Sequence, residues 1–204
     1  MSDRHLDRVY HTSSAPDEQA ALYDDWAATY DDDLTRHRCE TPDRLARALA
    51  SVTDDRSSPV FDFGCGTGLS GLALARAGWT TIDGADLSAG MLDVAERKGV
   101  YRRLWQVDGN QLDVEPGAYR TIVACGVVTI GAAPPETLDL LASQVAVGDH
   151  LAFSFNDHAL ADEAYTSRLD ALLDDGFEQL VAEYGPNLAG LESGATVYVL
   201  RRAA

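Results

Sequence analysis

The chain has 204 residues, 46% of them hydrophobic and 24% charged, which predicts one soluble domain of ample core, or one domain with a small lid. Its 33 acids against 16 bases give a formal net charge of −17. That balance opposes nucleic acid or an anionic membrane as partner, because both are held by Lys and Arg neutralising phosphate. No apolar run approaches the roughly 20 residues that span a bilayer, and the opening MSDRHLDRVYHTSS lacks the apolar segment of a secretory signal, so a cytoplasmic location is expected. The cysteines Cys39, Cys65 and Cys125 show no CxxC spacing and the histidines no HExxH. Neither a disulfide framework nor a metal site is expected.

In chain order, residues 1–13 are polar without periodicity and read as a flexible arm. Residues 14–204 read as one domain, with a helical lid and linker over 14–59 and a core over 60–204. Ser14, Pro16 and Asp17 look like a helix start. Tyr23, Trp26, Ala27 and Tyr30 then follow at i, i+3, i+4 and i+7, which predicts one helical face. Leu45, Ala48 and Leu49 predict a second helix over 42–52, and DDRSSP at 54–59 is a linker. Strands are predicted at VFDF, TTIDGADL, YRRLWQV, YRTIVACGVV and DHLAFSF. Helices between them start at Leu69, Ser88 and Pro135, and another covers 159–175. FEQLVAEY, a GPN turn and ATVYVLRR close the chain as a hairpin-like pair. The alternation predicts an α/β fold, a single Rossmann-like doubly wound sheet of about seven strands, the first five parallel and the last antiparallel, under an N-terminal helical lid.

The stretch Val60 to Gly71 (VFDFGCGTGLSG) joins a short apolar strand to a helix through Gly64, Gly66 and Gly68. Glycines suit a sharp reversal and let a ligand lie against the backbone, while the helix start offers free N–H groups. GxGxxG alone would suit a dinucleotide. Asp62, two residues before Gly64, disfavours a pyrophosphate there and suits a ligand carrying positive charge and N–H donors. Acids also end the second and third strands, Asp86 with Leu87 beside it and Asp108 with Gly109. Asp86 stands twenty residues beyond Gly66, where a carboxylate would accept from both ribose hydroxyls. Asp108 would accept from an adenine amine, and Met91 would pack on the ring face. Gly126, at the end of the fourth strand, would offer its carbonyl to an ammonium.

Asp-Phe-Gly-Cys-Gly-Thr-Gly (62–68) resembles the glycine motif of class I S-adenosylmethionine-dependent methyltransferases. YDDWAATYDDDL, DGADLSAGMLDVAERKGVY and ATVYVLRR narrow the resemblance to the Williams–Beuren-region methyltransferase-like proteins, over about residues 20 to 204. The resemblance implies S-adenosylmethionine as cofactor, S-adenosylhomocysteine as product, and methyl transfer to an acceptor, read as a small molecule. A non-catalytic module that binds the cofactor or its product is the alternative, and Asp62 disfavours a nicotinamide-dependent oxidoreductase. The fourth strand lacks the Asn/Asp-Pro-Pro-Tyr/Phe that holds a target nitrogen in amino-group methyltransferases. His158 and Tyr30 are the candidates for a catalytic group, with an ordinary Asn-Asp-His loop as the plainer reading of the first. Tyr23 and Tyr30 are expected in a lid over the methionine end of the cofactor, where rings would favour a sulfonium and phenols a carboxylate.

Overall fold

Apolar runs that stop at glycine or an acid form the strands of one sheet. The computed structural model describes residues 4–9, 11–12, 15–109 and 112–203. The strands are β1 (Val60–Phe63), β2 (Ile82–Asp86), β3 (Arg103–Gln106), β4 (Thr121–Ala124), β5 (His150–Asn156), β6 (Phe177–Pro186) and β7 (Gly194–Arg202). They pair in the order β3-β2-β1-β4-β5-β7-β6. The first five are parallel, and β7 runs antiparallel to both β5 and β6. The chain steps outward from β1 to β3, then returns to β4 beside β1. That reversal opens a crevice at the carboxyl ends of the central strands.

Nine α-helices and a short 3-10 turn (Ala189–Leu191) complete the described residues: α1 (Arg4–Val9), α2 (Pro16–Trp26), α3 (Tyr30–Arg36), α4 (Thr41–Ala50), α5 (Leu69–Arg76), α6 (Ala89–Lys98), α7 (Glu136–Ser143), α8 (Asp157–Leu160) and α9 (Glu163–Asp174). Alternate strand residues feed opposite faces. Phe61, Ile122, Leu151 and Phe153 pack with α7 and α9, whereas Val60, Val123, Ala152 and Val197 pack with Leu45 and Leu49 of α4 and Leu74 of α5. Burial on both faces explains why the central strands read as continuous apolar runs.

Four expectations change. The arm over 1–13 contains α1, whose Val9 is buried against Leu22 and Trp26. The predicted helix start leaves Ser14 outside the described residues, and α2 begins at Pro16 without a side-chain cap. The aromatic face does not lie on one helix, because the chain turns at residues 27–29 and restarts at Tyr30. Asp31, Asp32 and Asp33 then occupy the first turn of α3, where carboxylates suit the helix dipole. The helix expected over 159–175 is two, since Asn156 caps α8 and Asp162 caps α9, each through its side-chain oxygen.

Arg44 of α4 fastens the hairpin end to the body of the domain. Its guanidinium is buried and donates to the carbonyls of Glu183 (2.6 Å), Pro186 (3.0 Å) and Ala195 (3.0 Å). The β6–β7 turn is thereby held against the start of α4. There, Thr41 donates to Asn187 Oδ1 (2.8 Å) and the Glu40 N–H to the Asn187 carbonyl (2.9 Å). Replacing Arg44 by methionine would keep the apolar stem and orphan three carbonyls. The expected cost is about 2–4 kcal/mol of stability, read as a lower urea midpoint at unchanged slope. A change below 0.5 kcal/mol would show that water replaces the guanidinium there.

Candidate functional site

A cavity of about 220 Å³ lies at the carboxyl ends of β1, β2, β4 and β5. Its floor is the glycine loop, and its roof is α1, α2 and the start of α3. The loop glycines divide their work. A Cβ on Gly64 would strike Val127, and one on Gly68 would press on Tyr101. Gly66 has nothing within 4 Å on that side, at φ +53°. It is therefore Gly66 whose missing side chain leaves room for a ligand. Gly64 lines the cavity but is small because of the protein itself, and Gly68 does not line it.

Asp86 ends β2 and faces this space. One of its oxygens accepts from the Gly66 N–H (2.8 Å) and the other from the Ser88 N–H (2.9 Å). Burial raises its pKa, against the pull of those backbone bonds. The carboxylate thus locks the glycine loop to the β2–α6 turn and keeps lone pairs for a ligand. Leu87, Met91, Gly109 and Gly126 line the cavity as well, with Met91 fully buried. Asp108 does not. It is exposed and lines a neighbouring, more open pocket that shares Pro16, Leu87, Val107 and Gly109 with the first cavity.

Asp62 also departs from its expected place. It lies beneath the loop, fully buried and outside the cavity lining, where its Oδ2 accepts from Ser70 (2.6 Å) and Tyr101 (2.7 Å). Its Oδ1 has no partner among the described residues. Burial pushes its pKa up to about 6 despite both hydroxyls. The Tyr101 ring fills the space over Gly68, Gly71 and Gly84, so one side chain supports the loop and the acid together.

Tyr23, Trp26 and Tyr30 form the aromatic part of the roof. Trp26 stands 6.3 Å from Tyr23 and 4.5 Å from Tyr30 between ring centres, and its indole N–H donates to Asp33 (2.8 Å). Tyr30 lines the cavity beside Trp26. Burial, with Tyr23, Cys39, Cys125 and Asp86 around it, raises its pKa well above the ordinary value. A phenol so placed stays protonated and is a donor, not a base. His158 is exposed on α8 and lies outside the cavity, so it is no general base for chemistry there.

Sequence reasoning missed the residues that hold the roof down. Asp24 accepts from the Ser88 hydroxyl (2.5 Å) and the Gly90 N–H (2.9 Å). Asp31 accepts from the Thr67 hydroxyl (2.6 Å) and from Lys98 (2.5 Å), and Lys98 donates also to the Thr67 carbonyl (2.5 Å). The signal was present: Asp24, Asp31, Lys98 and Tyr101 all belong to the stretches that carry the resemblance. The far wall was missed too. It comprises Cys39, Thr41, Asn187 and Leu188, with Thr129 and Asn156 at the ends of β4 and β5. Among the described residues, no group of three or more His, Cys, Asp or Glu could hold a metal, and no helix is long and apolar enough to cross a membrane.

Residues 60–148 match the family model described as methyltransferase domain. Methyltransferase-like protein 27 of Homo sapiens is 31% identical over 135 residues, covering 62% of this chain and 54% of that protein. The chain therefore spans about half the length of that curated relative. Among solved structures, magnesium protoporphyrin IX methyltransferase of Synechocystis PCC 6803 with bound SAM superposes with a TM-score of 0.65 at 22% identity, over 82% of this chain and 80% of that one. The (4+2)-cyclase SpnF gives 0.61 at 19% identity, over 79% and 81%. At such identities the likeness is one of fold.

The buried acid yields a test. A folded-state pKa of about 6 against the ordinary 3.8 means that the fold favours protonated Asp62. Its contribution to stability is then full below pH 3.8 and is lost as pH rises through about 6, on the order of 3 kcal/mol in all. Asp62→Asn is neutral throughout. It should be more stable than the wild type at pH 8 and lose that advantage near pH 4, by urea unfolding. A difference independent of pH would assign the titration to another group.

Proposed function

We propose that this chain, which carries a class I methyltransferase fold and a methyltransferase-domain sequence, binds S-adenosylmethionine in the cavity and transfers its methyl group to a small molecule. The observation that carries the reading is Asp86, a buried carboxylate on the cavity wall, bonded to the glycine loop beside the open side of Gly66. The residues present fit the cofactor. Asp86 would hold the ribose hydroxyls and Met91 the adenine face, with Gly66 leaving the backbone open to the ligand. When bound, the cofactor supplies an electrophilic methyl on a sulfonium.

What the chain itself contributes is confinement. Asp24, Asp31 and Lys98 hold α2 and α3 over the site, and Trp26 and Tyr30, which line it with Asp86 and Cys125, exclude water. Asp86 is the only charged side chain among the described lining residues. The cysteines are poor bases, because burial raises Cys39 to about 11 and Cys65 and Cys125 well above their ordinary value. Alignment and desolvation of the two reactants are then the main catalytic means. A second reading, a module that binds the cofactor or its demethylated product without methyl transfer, is supported by the same lack of a base in the described lining.

Calorimetry separates both readings from a nucleotide site. S-adenosylmethionine should bind and NAD should not, and Asp86→Asn should weaken binding by about 2 kcal/mol, roughly thirty-fold. Unchanged affinity in the folded variant would remove the site. Tyr30→Phe should keep the fold and most of the cofactor affinity while lowering the rate of isotopic methyl transfer into a cell extract. Cofactor binding without any transfer would favour the second reading.

A further inference from the structure

The cavity is wider than one ligand needs. Asp86 ends β2 and Asn156 ends β5, with β1 and β4 between them. Three strand spacings put those tips about 14 Å apart. If the cofactor lies at the Asp86 end, as the reading above has it, the space at the Asn156 end is left for the acceptor. That end is walled by Leu34, Cys39, Pro134 and Leu188, and its polar groups are neutral.

We infer that this chamber takes an uncharged, largely apolar small molecule bearing a carbonyl-type oxygen, received by the amide N–H of Asn156. Two observations carry the inference. The first is charge. In a chain of net charge −17, Asp86 is the only charged side chain among the described residues lining the cavity, and it belongs to the other end. A carboxylate, phosphate or ammonium on the acceptor would be stripped of water there without a counter-ion, which is costly.

The second is the orientation of one amide. Asn156 caps α8, so its side-chain atom facing the Ala159 N–H (3.0 Å) must be oxygen, because a backbone N–H only donates. Thr129 donates its hydroxyl to the same oxygen (2.7 Å). Both bonds fix which way the amide lies. Nδ2 is left without a hydrogen bond among the described residues, on a residue that lines the cavity. An oriented donor on a wall otherwise apolar selects for an acceptor oxygen. The loop carrying Asn187 and Leu188 is held to the segment 37–41 by three backbone bonds, from Glu40 to Asn187, Ala189 to Arg38 and Gly190 to His37, so the chamber's shape is built in.

A matched set of probes tests this by titration into protein saturated with S-adenosylhomocysteine: ethyl 4-phenylbutanoate, 4-phenylbutanoate, 4-phenylbutylamine and butylbenzene. The ester should bind at least tenfold tighter than the anion, the cation or the plain hydrocarbon. Asn156→Asp retains a capping oxygen and Asn156→Ala gives it up, and both remove the side-chain donor. Each should bring the ester down to the affinity of butylbenzene, and leave that of S-adenosylhomocysteine within twofold. An anion or ammonium that binds as well as the ester, or an ester indifferent to both variants, overturns the inference. Failure of S-adenosylhomocysteine to bind the wild type sinks the cofactor reading instead. The probes titrated alone would still rank the chamber's preference.

Discussion

The site is closed by one carboxylate. Asp31 takes the hydroxyl of Thr67 from the glycine loop and the ammonium of Lys98 from the end of α6, and so ties roof, loop and sheet-flanking helix together. Each partner would have a weak bond on an open surface, where an exposed ion pair contributes under about 1 kcal/mol. Here Lys98 is largely buried and also donates to the Thr67 carbonyl. The three groups form a small satisfied network, not a lone pair. Asp24 of α2 adds a second fastening, to the Ser88 hydroxyl and the Gly90 N–H of α6.

The division of labour around the loop has the same logic. A turn that must approach a ligand needs rigidity from behind, and Tyr101 supplies it by filling the space that Gly68, Gly71 and Gly84 leave. Its hydroxyl, with that of Ser70, holds Asp62 below the loop. The ligand-facing side is then free for Gly66 and Asp86. Within the described cavity lining, Asp86 is the only charged side chain.

The sheet was legible because its signals are local: short apolar runs, glycines at the strand ends, and helix starts such as Ser88. Asp86 could be read because strand end and glycine spacing both point to it. Position at a strand end does not set side-chain direction, and there the reading failed. Asp108 lies exposed beside the cavity, and Asp62 turns beneath the loop toward Tyr101, 39 residues away. The break between α2 and α3 escaped notice because Tyr30 falls near the same face whether or not the helix continues. Asn156 was noticed only as part of a loop before a helix. The wall made by Thr41 and Asn187 joins residues 146 apart, and no local pattern announces such a contact.

Lys98 is the chain's sole lysine. In most proteins, reagents that acylate or reductively alkylate amines scatter over many surface sites. Here the only ε-amine is engaged in the closed roof, with its side chain 13% exposed. Its rate of acylation is therefore a stopwatch on roof opening, readable by mass spectrometry without any engineered label. The same chemistry used carelessly, to immobilise or crosslink the protein, would fix a group at the contact that joins Asp31 to the glycine loop.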